Sequence, residues 1–158
     1  MISIVSNFID YNEINYILSH WVKNPKLFCN NAIRFHFVDF LENKIDLTPI
    51  NSGSFAKVRF DKIWLQKQDE NVDQIDIFHG HKNIHNYILY LNDNFDGGKL
   101  IFDNGVEFSP KAGTLVYFNN NEKHKVTKCV GDRYTLSLWG NTEVDLHFKK
   151  HSIKRTTI

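Results

Sequence analysis

Apolar and polar positions follow two rhythms along the chain. From Asp10 the rhythm is helical: Asp10 is placed to cap, Glu13 stands three residues later, and Ile14, Ile17, Leu18 and Trp21 recur at i, i+3, i+4 and i+7. This spacing predicts a helix from residue 11 to about 23, ended by Asn24-Pro25. Residues 26–56 follow neither rhythm; Phe35, Phe37 and Phe40 fit a short strand as well as a short helix. From residue 57 onward, short aromatic and β-branched runs alternate with clusters of Asn, Asp and Gly, the pattern of consecutive antiparallel strands. The candidate strands are 57–66, 74–80, 86–92, 98–102, 106–108, 114–118, 124–129 and 133–139. The turns between them are explicit: Asn92-Asp93-Asn94, Asp96-Gly97-Gly98, Asp103-Asn104-Gly105, Ser109-Pro110-Lys111-Ala112-Gly113 and Gly131-Asp132. One helix followed by eight short strands predicts a mainly β (α+β) sandwich or jelly roll with helical support on one face. The tail after Gly140 ends in His151-Ser152-Ile153-Lys154-Arg155 and is expected to be loosely ordered.

Composition narrows this picture. A chain of 158 residues, 42% hydrophobic, can bury one sizeable core, so a single domain over 1–158 is expected, with a helical and mixed part at 1–56 and a β core at 57–140. The 19 basic and 18 acidic side chains balance, so no overall field favours nucleic acid or an anionic membrane. No apolar run approaches the roughly 18 residues of a membrane span. Cys29 and Cys129 stand far apart without a Cys-x-x-Cys spacing, which predicts thiols in a reducing, cytoplasmic setting and not a zinc site.

Of the eight histidines, His79, His81 and His124 carry an interpretable spacing. Residues i and i+2 of a strand project to one face, so His79 and His81 can present two imidazoles to one metal, and His124 begins a later strand that a jelly roll brings near. An isolated His-x-His is about as often incidental as metal-binding. His85 falls in the turn before the 86–92 strand and reads as an ordinary polar residue, though it rivals His81 as the second ligand.

Several ordered pieces now agree: FHGH (78–81), YLND (90–93), GGKLIF (97–102), SPKAGTLVYF (109–118), HKV (124–126) and GDRYTLSLW (131–139). Together they span about 40% of the chain, and in order and spacing they resemble the prolyl-4-hydroxylase type of 2-oxoglutarate and Fe(II)-dependent dioxygenases, including its short phage and bacterial forms with His-x-His. The resemblance implies a double-stranded β-helix (jelly roll), an Fe(II) held by His79 and His124, and 2-oxoglutarate anchored through its distal carboxylate by Arg133, nine residues after His124. A planar guanidinium suits that task, because it offers two parallel donors to a carboxylate. Tyr90 is implied as a further donor to the same carboxylate, and Thr135, two residues beyond Arg133 on the same strand face, is placed to do likewise. The resemblance also implies dioxygen as the second cosubstrate and hydroxylation of a peptidyl prolyl or amino-acid side chain or a small metabolite. Gly97-Gly98 and Phe102, Tyr117, Phe118 and Trp139 are assigned to turns and packing.

One position departs from that family's pattern. Where a carboxylate is expected two residues after the first histidine stands His81, so the metal set becomes His79, His81 and His124 unless Asp69 or Asp76 supplies an acid. The short loop between His81 and Tyr90 implies a shallow, open site, or one closed by a partner subunit. Two rival readings stand beside this one: a cupin-like metal protein, which would leave Arg133 without a role, and a non-catalytic jelly-roll module with incidental histidines.

Overall fold

The computed structural model describes residues 1–23, 56–70, 78–82 and 84–144. A first strand, β1 (Ile2–Val5), precedes helix α1 (Tyr11–Lys23), and the remaining elements are β2 (Ala56–Gln68), β3 (His85–Tyr90), β4 (Asp96–Gly97), β5 (Leu100–Phe102), β6 (Glu107–Phe108), β7 (Leu115–Asn119), β8 (His124–Val126), β9 (Cys129–Val130) and β10 (Arg133–Val144). The helix begins where its capping signal stands. Asp10 Oδ1 accepts from the Glu13 amide at 2.9 Å and Glu13 Oε1 accepts from the Asp10 amide at 3.4 Å, a reciprocal box that satisfies two otherwise orphaned donors.

A five-stranded antiparallel sheet in the order β1-β7-β3-β10-β2 forms one layer. A three-stranded sheet, β6-β5-β8, and the β4-β9 pair form the other. This is the expected jelly-roll sandwich. Strand alternation divides the large sheet into two apolar surfaces. On one, Leu65, Tyr87, Leu89, Leu115, Tyr117, Leu136 and Leu138 meet Ile9, Ile14 and Ile17 from the helical side. On the other, Ile88, Tyr90, Val116 and Phe118 meet Leu100 and Phe102 of the small sheet. Each fully buried side chain of this size contributes about 1.5–3 kcal/mol, so the helix supports the sheet from behind and leaves the inter-sheet space for the site.

Differences from the expected elements have local causes. The edge strand β1 has no alternating signature of its own; it is made by pairing with β7, Ile2 opposite Phe118 and Val5 opposite Leu115. The expected 98–102 strand is shortened to β5, with β4 lying ahead of it at Asp96–Gly97, and 124–129 divides into β8 and β9; Gly97 and Gly98 both adopt positive φ, and the Gly98 amide donates to the Lys128 carbonyl. The last strand passes the expected end at 139 and continues to Val144, since β2 is long enough to pair with it throughout. Of the expected 74–80 strand, residues 74–77 lie outside the described residues, and the described part makes a single bridge, His79 to His124. The expectations for 26–55, for Cys29 and for the tail beyond 144 also lie outside the described residues. No helix among the described residues is long and apolar enough to cross a membrane.

Candidate functional site

His79 and His124 exchange both backbone hydrogen bonds, each N–H to the other's carbonyl at 2.9 Å, which sets their side chains beside one another on one face. Their rings lie 4.4 Å apart, and His81 brings its Nε2 to 3.3 Å from that of His124. The candidate ligand nitrogens of the three histidines all fall within 4.8 Å of one another. A metal about 2.1 Å from each nitrogen requires separations of about 3–3.5 Å, so the His81–His124 pair already fits and the widest pair closes by a small ring rotation. The donor set is chemically suited to a divalent first-row metal, and three protein ligands would leave further coordination positions for other groups. His124 is buried, whereas His79 is exposed and His81 half-buried, so the group opens to solvent on one side. Burial first, and then the neighbouring His79 and His81, push the His124 imidazole down to about 4, which keeps it neutral and available as a ligand at physiological pH.

Sheet alternation decides which other candidates join this group. His85 is not in a turn: it is the first residue of β3, buried, with Nδ1 2.9 Å from the Tyr117 hydroxyl. It stands in alternation with Tyr87 and Leu89 on the helix side of the sheet, and the structure does not bring it to the other three. Asp69 is not part of the histidine group either, and Asp76 lies outside the described residues.

Arg133, Thr135, Ser137 and Trp139 alternate along β10 toward the inter-sheet space. Arg133 is only 3% exposed. Its Nη1 donates to the Gln68 amide oxygen, its guanidinium lies 5.4 Å from the centre of the Tyr90 ring, and its Nε has no hydrogen-bond partner among the described residues. No carboxylate among the described residues pairs with it. Tyr90 and Thr135 are directly opposite in the β3–β10 ladder, and neither buried hydroxyl has a hydrogen-bond partner among the described residues. Burial pushes the Tyr90 hydroxyl above its ordinary value, partly opposed by the Arg133 cation beside it, so the hydroxyl keeps its proton and remains a donor. Two orphaned buried hydroxyls beside a cation that no described carboxylate neutralises are chemically suited to receive an anion.

A single cavity of about 350 Å³ runs between the two clusters, lined by His79, His81, His124 and Arg133 and by Gln66, Gln68, Asn86, Phe118, Ser137 and Trp139. The glutamines, Asn86 and Ser137 were missed in the sequence because polar residues in strands usually face solvent. The detectable signal was the alternation of Gln66 and Gln68 along β2, which becomes informative once the strand is known to pair with β10. Phe118 and Trp139 pack as expected but also form cavity wall, with the His81 ring 6.5 Å and 5.6 Å from theirs.

Comparison with known proteins agrees with the fold. Residues 64–141 match the family model of the 2OG-Fe(II) oxygenase superfamily. Among solved structures, a prolyl-4-hydroxylase of Pseudomonas putida is 20% identical, with a TM-score of 0.65 over 89% of this chain and 86% of that one. A 2OG-Fe(II) oxygenase-family oxidoreductase of Burkholderia pseudomallei is 12% identical, with a TM-score of 0.70 over 89% and 84%. The viral collagen prolyl hydroxylase of Paramecium bursaria Chlorella virus 1 is 13% identical, with a TM-score of 0.61 over 90% of each chain. At these identities the likeness establishes the fold. No curated protein matches by sequence.

Proposed function

The chain belongs, through residues 64–141, to the 2OG-Fe(II) oxygenase superfamily, and from that premise we propose that it works as a single-domain, cytoplasmic dioxygenase that hydroxylates an organic substrate at an iron held by His79, His81 and His124. The observation that carries this reading is the pairing, in one cavity, of a three-histidine group with a buried arginine whose hydrogen-bond partner among the described residues is neutral. The chemistry such a centre supplies is dioxygen activation coupled to decarboxylation of 2-oxoglutarate, one oxygen atom ending in succinate and the other in a substrate hydroxyl.

The roles of the chain's own residues follow from their positions. Arg133 receives the distal carboxylate of 2-oxoglutarate, and Tyr90 and Thr135 donate their unpartnered hydroxyls to the same group. Substitution of His81 for a carboxylate makes the ligand set neutral, so a bound divalent metal keeps its full charge and, together with Arg133, favours a dianionic chelator. Phe118 and Trp139 shield the metal side of the cavity from water, while Gln66, Asn86 and Ser137 offer uncharged hydrogen-bonding groups. A peptidyl side chain, prolyl above all, leads the substrate candidates because prolyl hydroxylases stand among the structural neighbours. Free amino acids and other small metabolites follow. The cupin-like alternative gives Arg133 no role, and an incidental-histidine module leaves the converging imidazoles unexplained.

Anaerobic titration of the Fe(II)-loaded protein with 2-oxoglutarate tests the proposal. A visible charge-transfer band that grows with 2-oxoglutarate and is lost in His124→Ala and Arg133→Ala is the expected result. Stoichiometric iron without such a band refutes it.

A further inference from the structure

Resting on the cosubstrate reading above, a finer question is what makes the Arg133 end of the cavity choose a dicarboxylate. Arg133 and Gln68 are directly opposite in the β10–β2 ladder, and the short contact from Nη1 to the Gln68 amide oxygen crosses it. The ends of these strands are held in register by the Gly131 amide donating to Glu70 Oε2 at 3.1 Å and by Lys67 3.5 Å from Asp132. From the other side Gly98 closes on the arginine stem: a Cβ there would lie 3.1 Å from Arg133 Cδ and 2.9 Å from the Phe95 ring. The guanidinium is therefore fixed between Gly98, the Tyr90 ring and Gln68. Of its five N–H donors, Gln68 takes one and supplies no charge.

We propose that Gln68 is the specificity-determining residue of the carboxylate pocket: its amide orients Arg133 while leaving the positive charge unneutralised, so that only a 2-oxo acid with a second, distal carboxylate completes the site. A glutamate at the same position would reach the same guanidinium, form a buried ion pair, and occupy the anion's place from within. Gln68 acts through Arg133 and is a positioning residue in that sense. Two acidic side chains close by in sequence are engaged elsewhere, Asp132 beside Lys67 and Glu70 on the Gly131 amide.

The test compares wild type, Gln68→Glu and Gln68→Leu as anaerobic Fe(II)-loaded proteins. Affinities are measured by calorimetry for 2-oxoglutarate and for 2-oxopentanoate, which has the same chain length and no distal carboxylate, alongside thermal unfolding without either acid. In Gln68→Glu, 2-oxoglutarate binding is expected to weaken by on the order of 100-fold, 2-oxopentanoate binding to change by less than about threefold, and the ligand-free melting temperature to hold or rise because a buried charge is neutralised. Gln68→Leu keeps the preference for the dicarboxylate but binds it more weakly, since Arg133 loses its orienting acceptor. If Gln68→Glu retains the wild-type preference, or if both acids weaken together with a fall in melting temperature, Gln68 is a structural residue only and the inference is overturned. Wild-type protein that shows no preference for 2-oxoglutarate overturns the cosubstrate reading itself, a distinct result.

Discussion

Arg133→Met isolates the energetic role of the buried cation. Methionine keeps much of the stem's length and removes the charge, so the packing against Gly98 and Tyr90 is largely retained. Two effects on the ligand-free protein oppose each other. Removing a desolvated, unneutralised charge is neutral to favourable by about 1–4 kcal/mol, and stranding the Gln68 amide oxygen costs about 1–3 kcal/mol. The melting temperature of the variant is therefore expected near that of wild type. Cosubstrate binding behaves differently. Loss of a buried, hydrogen-bonded partner for a carboxylate costs about 2–5 kcal/mol, roughly 30-fold to several thousand-fold in Kd. At 2-oxoglutarate about 100-fold above the wild-type Kd, binding stabilises the fold by about 2.7 kcal/mol, and a Kd raised 100-fold reduces this to about 0.4 kcal/mol. With about 2–4 °C per kcal/mol for a chain of this size, the ligand-induced shift falls from about 5–10 °C to about 1–2 °C. Thermal unfolding of the metal-loaded proteins with and without 2-oxoglutarate reads this directly. A variant that keeps the full ligand-induced shift refutes the assignment of Arg133 to the distal carboxylate.

Other outcomes follow from the same geometry. His81→Ala removes one of three grouped imidazoles and should weaken metal binding on the order of 100-fold, whereas His85→Ala, on the opposite face of the sheet, should leave it unchanged; equal losses in a metal titration would show that the grouping is wrong. Burial holds the His85 imidazole below its ordinary value, so the folded chain binds fewer protons there than the unfolded chain. The stability due to neutral His85 is complete above the unfolded value of about 6.5 and is lost as pH falls through it toward the lower folded value. The acid limb of a urea-midpoint against pH curve should therefore flatten in His85→Gln, and superimposable limbs would contradict the burial argument. Gly97→Ala places a Cβ 1.9 Å from the Lys128 carbonyl at a φ of +71°, so β4 and β9 must separate. A loss of about 2–4 kcal/mol in denaturant unfolding is expected, and a loss below 0.5 kcal/mol (about one hydrogen bond's lower bound) would mean that this turn relaxes freely.

The parts of the molecule legible in the sequence are those written in neighbouring residues. The capping pair Asp10–Glu13 and the i, i+3, i+4, i+7 run mark α1 residue by residue, because helix hydrogen bonds close within four positions. Most of the strands and their turns announce themselves by alternation and by Asn, Asp and Gly, and the ordered motifs around His79, His124 and Arg133 name the candidate chemistry. Strand partnership is not local, and what depends on it stayed hidden. That β1 exists, that β10 continues to Val144, and that His85 points away from the other histidines are consequences of register with β7, β2 and β3, each set by residues far away in sequence. The same holds for Gln68, an unremarkable polar residue at the end of a strand until the ladder places it opposite Arg133. Local spacing determined which side chains were available for chemistry; only the pairing of distant strands decided which of them face one cavity, because a strand's two faces are chemically equivalent until another strand buries one of them.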